Sequence, residues 1–192
     1  KQQVADQEVI VPKKLKLPEG KKPLIISIDD MSYTRDMKAN GILQRLVVDD
    51  NLKVASYSIN PDGQKVISYD NSIVPILETF VEKNPDFSFR GAKGVIALTG
   101  SEGILGYRTN EPTAPDYEQQ KAEVLKVIRA LKEKGWTFAF QSQGLLNAKE
   151  VTYDKLVNDT ERWQKEVASL IGPTEIFIYS SGASLNPEDP KF

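Results

Sequence analysis

The sequence contains no cysteine and no histidine. Without cysteine there are no disulfides, no thiolate nucleophile and no thiolate-held zinc or iron–sulfur centre. Without histidine there is no Ser–His–Asp triad, no imidazole base and no imidazole-ligated metal. Chemistry must run on carboxylates, hydroxyls, Lys, Arg and backbone amides. A metal would meet oxygen ligands, which suit calcium or magnesium better than zinc. An excess of one charge is also missing, since 25 Lys+Arg stand against 27 Asp+Glu for a formal net charge of −2. That balance argues against nucleic acid, whose binders show a basic stripe. The densest basic stretch, Lys13, Lys14, Lys16, Lys21 and Lys22, has no interleaved aromatics and reads as a solvated segment. No apolar run reaches the ~18–20 residues of a membrane-spanning helix, and no signal-peptide pattern is present. Lys1 in place of Met reads as a processed or trimmed chain. The 192 residues suit one domain or a large piece of one.

What is present alternates. Residues 1–22 are polar, Lys-rich and aperiodic, an extended lead-in to a domain over 23–192. Pro23–Ile28 is a short apolar run stopped by Asp29 and Asp30, the pattern of a buried strand. Residues 46–69 alternate β-branched and polar residues around turns near Asp49–Asn51 and Asn60–Gly63, which predicts an inserted β-hairpin. A calcium loop at Asp49–Asn51 fails on spacing, since the required glycine and bidentate Glu are missing. A helix is predicted over Ile73–Lys83, capped by Asn71 or Ser72, with Ile73, Ile76, Leu77 and Phe80 inward. Strands follow at Gly94–Leu98, Trp136–Phe140 and Glu175–Tyr179. Between them lie helices over Tyr117–Lys134, with Asp116 and Gln119 as a capping box, and Tyr153–Leu170, capped by Thr152. The triplet Asn158-Asp-Thr160 has the form of a glycosylation acceptor but falls inside the last helix. This order predicts an α/β domain with a parallel sheet and crossover helices, open or closed into a barrel. In either form the working face lies at the carboxyl ends of the strands.

Four loops therefore hold the candidate site. Asp29 and Asp30 leave the first strand together; one can bind a cation and the other act as a base, or both can serve as turn caps. The loop Thr99-Gly-Ser-Glu-Gly-Ile-Leu-Gly-Tyr-Arg-Thr109 has glycines that let backbone approach a ligand, and Tyr107 and Arg108 can stack on and hydrogen-bond a sugar or anion. It is neither a Walker loop nor a dinucleotide fingerprint, and Arg108 can alternatively neutralise the Asp pair. The third and fourth ends, Gln141-Ser-Gln-Gly-Leu-Leu-Asn147 and Tyr179-Ser-Ser-Gly-Ala183, are small and polar. Ser142 or Ser180 as nucleophile would need a Lys base, and none is adjacent in sequence.

At these four ends the sequence resembles the polysaccharide deacetylase family, also called the NodB-homology or carbohydrate esterase family 4 fold, in a divergent Gram-positive branch. KKPLIISIDDMSY resembles the family's Thr-Phe-Asp-Asp motif, and FRGAKGVIALTGSEGILGYRTN the branch's second-strand block. LKEKGWTFAFQSQGLLN resembles the segment that carries His-Ser/Thr-x-x-His, and IFIYSSGAS a later strand-end block. The resemblance covers about residues 15–185. It implies part of a distorted (β/α)7-type barrel, a divalent metal such as zinc held by Asp-His-His, and removal of acetyl groups from N-acetylated sugars such as those of peptidoglycan. It also implies an extracellular or cell-surface location.

By resemblance Asp29 matches the base and Asp30 the metal-ligand Asp, while Tyr107, Arg108, Ser142, Ser181 and Gly182 fall at the substrate side. Gln141 and Leu145 stand where the two metal histidines belong, and Ser180 and Ser181 stand where Pro and Tyr are usual. One carboxylate and one amide bind zinc poorly. The expectation is no cofactor, or a divalent cation at Asp30 if there is one. Three functions follow: a degenerate deacetylase that binds a glycan, an active metal-dependent deacetylase using Asp29 and Asp30, or an interaction domain without a ligand. Four core strands are too few for the implied barrel, so the chain reads as part of a larger unit.

Overall fold

The structure is a computed structural model that describes residues 15–39 and 43–192, together with the backbone of two short strands before them. Those strands, β1 (Gln2–Val4) and β2 (Gln7–Val9), pair antiparallel within the predicted lead-in. Lys13 and Lys14 of the basic stretch lie outside the described residues, and Lys16, Lys21 and Lys22 are exposed.

The protein is mixed α/β. Its centre is a three-stranded parallel sheet in the order β3 (Ser27–Ile28), β7 (Val95–Leu98), β8 (Thr137–Phe140). Ile28 lies beside Ile96, and Leu98 beside Phe140. Ile96, Ala97, Leu98 and Ala139 are fully buried, as a strand covered on both faces requires. The first strand is shorter than predicted. In the Ser27↔Val95 register, residues 23–26 run past the start of β7, where the Ile26 carbonyl still accepts Val95 N–H at 2.9 Å. They have no strand to pair with there, and Leu24 and Ile25 stay 69% and 85% exposed. The predicted fourth strand is reduced to one parallel bridge, Phe140↔Phe177, in which Ile178 N–H and Ile176 C=O bond to the Phe140 backbone. Among the described residues the sheet does not close into a barrel.

The inserted hairpin is a three-stranded meander, β4 (Arg45–Val48), β5 (Val54–Ile59) and β6 (Lys65–Ser68). Both predicted turns form. Asp49 Oδ1 accepts the Asn51 and Lys53 N–H groups, Asn60 Oδ1 accepts those of Asp62 and Gln64, and Gly63 takes φ 77°.

A short helix α1 (Arg35–Ala39) precedes the meander, and α2 (Ile73–Lys83) follows it. The α2 bounds match the prediction, but of the predicted inward residues only Leu77 is buried. Val74, Leu77, Glu78 and Val81 face the core, whereas Ile73, Ile76 and Phe80 are exposed. Two apolar stripes one residue apart are present, and the buried one includes Glu78, whose carboxylate accepts Trp136 Nε1 at 2.8 Å. Ser72 is the N-cap residue but bonds the Tyr33 hydroxyl instead of the helix.

Helix α3 (Tyr117–Glu133) buries Val124, Val127, Ile128 and Leu131. The expected Asp116–Gln119 box is replaced by a bond from Gln120 Nε2 to Asp116. Helix α4 (Tyr153–Trp163) starts at Thr152, whose hydroxyl accepts Lys155 N–H. It continues through a π-helical turn, Gln164–Ala168, into α5 (Ser169–Ile171). Trp163 and Val167 are buried as predicted, and Leu156 and Leu170 are half-buried.

Candidate functional site

Parallel pairing in register brings the ends of β3, β7 and β8 side by side, and side chains then tie them together. The Asp30 N–H donates to Gln141 Oε1 at 2.7 Å. Asp30 Oδ1 accepts Thr99 Oγ1 at 2.9 Å and Ser32 Oγ at 3.1 Å. Ser180 Oγ donates to the Gln141 carbonyl at 2.7 Å, which brings in the fourth end. Gln141 and Ser180 are buried, and Asp30 is half-buried. The neighbouring Asp29 is exposed, with no hydrogen bond or ion pair among the described residues. The two carboxylates therefore separate: hydroxyl donors hold Asp30, and Asp29 faces solvent.

Arg108 does not neutralise this pair. Its guanidinium donates to the Tyr33 carbonyl at 2.8 Å and to the Glu102 carbonyl, and its carboxylate partner is Glu102 at 3.7 Å. Tyr107 is buried, with its hydroxyl donating to the Leu46 carbonyl at 2.9 Å, and burial pushes its pKa up to about 12. The glycine-rich loop thus turns the polar ends of both side chains to backbone carbonyls. A Cβ at Gly103 would strike the Tyr107 carbonyl, and one at Gly106 the backbone of Gln44 and Arg45.

The third loop is pinned from α4. Asp159 accepts the Gln143 and Gly144 N–H groups at 2.8 Å each, and Gln143 Nε2 donates to Glu166 at 2.7 Å beside the π-helical turn. Ser142 is buried, and its hydroxyl accepts Leu146 N–H at 3.0 Å. Leu145 is exposed and offers no donor atom. Ser181 and Gly182 are exposed at the fourth end. Non-glycine residues with left-handed backbone gather here: Asp30 (φ 50°), Ser142 (φ 83°), Leu145 (φ 56°) and Ser181 (φ 56°). Such conformations cost of order 1–3 kcal/mol each and cluster where a site is held in place.

Beside Ser142 and Ser180 opens a cleft of about 400 Å³. Its wall is aromatic: Phe177 stacks on Phe140 at 4.8 Å and meets Tyr179 edge-on at 4.6 Å. Thr99, Phe177 and Asp159 belong to this region and were not singled out from the sequence. The alternation Phe177, Tyr179 along the last apolar run is the signal that would have shown a shared face.

The donor set does not fit a zinc ion. Asp30 Oδ1 and Gln141 Oε1 are occupied by protein donors and Leu145 has nothing to offer, which leaves Asp30 Oδ2 as the one open oxygen at these three positions, too few for a zinc site. No group of three His, Cys, Asp or Glu that could hold a metal is found among the described residues, and none of their helices is long and apolar enough to cross a membrane. No protein-family model matches the chain, and neither a curated protein nor a solved structure does.

Proposed function

We propose that this chain is a polysaccharide-deacetylase-like domain, part of a distorted (β/α)7-type barrel, that binds an N-acetylated cell-surface glycan and no longer carries a metal centre. The observation that carries this reading is the pairing of Gln141 with Asp30 beside an aromatic-walled cleft. An amide that accepts a backbone N–H keeps two strand ends in place without a metal. The exposed face of Phe177, next to Tyr179, suits the apolar face of a sugar ring. The sheet also adds its parallel strands in chain order, as a barrel wall does. An extracellular or cell-surface location goes with this reading.

Isothermal titration with N-acetylglucosamine oligomers tests it. Heat that saturates at millimolar ligand and falls several-fold in Phe177→Ala is expected; no heat with any oligomer rejects the glycan role. The active-deacetylase reading, with Asp29 as base and a divalent cation at Asp30, is tested by acetate release with zinc, cobalt, manganese or calcium. Equal activity in Asp30→Ala removes it. The absence of Tyr107 and Arg108 from the strand-end cleft favours a second reading, an interaction domain without a ligand at that cleft. That reading predicts silence in both assays.

A further inference from the structure

On the face formed by the meander and α3 lies a second cleft of about 350 Å³, which Tyr107 alone reaches from the loops just described. We propose that it binds a small molecule bearing one carboxylate and several hydroxyls, of the sugar-acid class, with Arg45 taking the carboxylate. This proposal does not depend on the reading of the strand-end site.

The cleft is built by register and helical spacing. Arg45 lies directly opposite Tyr57 in the β4–β5 pair, and opposite residues share a face of the sheet. Leu46, pointing the other way, is fully buried. Tyr107 reaches the same face, anchored by its bond to the Leu46 carbonyl. Its approach requires Gly106, with φ 91°, since any Cβ there would collide with the Arg45 backbone. Asp116, Gln119 and Glu123 recur at helical spacing and close the other side.

The chemistry follows from what Arg45 lacks. Its guanidinium carbon sits 5.0 Å from the Tyr57 ring centre and 5.4 Å from that of Tyr107. These contacts engage the flat faces of the rings and leave the N–H edge of the guanidinium for an acceptor. Arg35, Arg108 and Arg162 each have a carboxylate partner; Arg45, Arg90 and Arg129 have none among the described residues, and of these three only Arg45 is half-buried. A second cation, Lys38, lies behind Gly106, outside the cleft lining. The Lys38 ammonium donates to the Gly106 carbonyl at 3.2 Å and also lacks a carboxylate within ion-pair distance among the described residues. Burial, then Arg108, Arg45 and Arg35, lower its pKa to about 8. A guanidinium fork without a protein acceptor matches a carboxylate.

The opposite rim selects the rest of the ligand. Asp116 and Glu123 accept one bond each from Gln120 and Lys126, and each carboxylate has a second oxygen for a hydroxyl donor. Gln119 adds an exposed amide. Two carboxylates on the rim repel a dianion, which disfavours a phosphate ester. The volume sits at the small end of ligand clefts, about 300–1,000 Å³, and suits a single ring.

The test is an NMR titration of the chain with glucuronate, galacturonate and gluconate, against glucose and glucose 6-phosphate. At least one acid should give saturable shifts confined to residues 45–57 and 107–123, with glucose and glucose 6-phosphate at least about tenfold weaker. Arg45→Gln should remove that binding, and Gln119→Ala, on an exposed helical face, should weaken it several-fold without disturbing the fold. No saturable shift with any of the three acids overturns the proposal, as does an equal response to glucose or glucose 6-phosphate, or unchanged affinity in both variants. Response to N-acetylglucosamine oligomers near residues 140–180 reports on the other cleft, so the two readings fail separately.

Discussion

The side-chain oxygen of Gln141 accepts the backbone N–H of Asp30, joining positions 111 residues apart. The bond spans the end of β7, since that strand lies between β3 and β8. Thr99, at the end of β7, donates to the same aspartate. Three strands are thus locked at one end by polar side chains. Gln141→Ala leaves the Asp30 N–H without its acceptor and is expected to lower stability by about 1–3 kcal/mol. A lower urea midpoint at unchanged slope checks this, and an unchanged midpoint would show that the bond adds nothing.

The glycines of the second loop give an ordering. Gly103 combines φ 81° with a position where a Cβ meets the Tyr107 carbonyl, and backbone cannot yield. At Gly100 the obstacle is the Gln143 side-chain amide, which can shift. Gly182 has φ 65° and open space around it. Gly103→Ala should therefore cost the most, several kcal/mol, Gly100→Ala about 1–3 kcal/mol, and Gly182→Ala about 1 kcal/mol. Thermal melts of the three variants check the order, and Gly182→Ala as the worst would contradict it.

The buried pair of Trp136 and Glu78 carries the packing of α2. Glu78→Ala leaves the indole N–H buried without a partner, and a bond to a charged acceptor is worth about 1.5–3 kcal/mol. The double variant with Trp136→Phe should cost less than the sum of the two singles. Additivity in that cycle would mean that the bond does not couple them.

That same pair shows where sequence reading stops. The bounds of α2 follow from its cap position, the early Pro75 and apolar spacing, all local. Its buried face does not, because the choice between two stripes offset by one residue depends on distant packing partners, Trp136 among them, 58 positions away. The candidate site divides in the same way. Alternation of strands and helices located the strand-end loops, and Asp30 and Gln141 do meet there. The inward turn of Tyr107 and Arg108 was not legible, because it depends on the carbonyls of Leu46 and Tyr33, brought close only by folding. Arg45 gave no local signal either. Its setting exists only once the turn after Val48 fixes Arg45 against Tyr57.

Alkaline titration offers a test in which two effects oppose. Lys38 loses its proton near pH 8 in the native chain, chiefly through burial, against an ordinary value of 10.5. Between these values the unfolded chain binds more protons, so stability rises with pH from about 8 toward 10.5. Burial raises Tyr33 and Tyr107 from 10.0 to about 12. There the native chain holds protons that the unfolded chain has lost, so stability falls above pH 10. Tyr69, raised by its bond to Asp49, and Lys53, raised by Glu82, act in the same falling direction. Opposed in this way, the effects place maximum stability near pH 10, where one lysine's gain gives way to the tyrosines' loss. Lys38→Met should flatten the rise and leave the fall in place. Urea midpoints measured from pH 7 to 11 decide it: a rise that survives in Lys38→Met belongs to some other group.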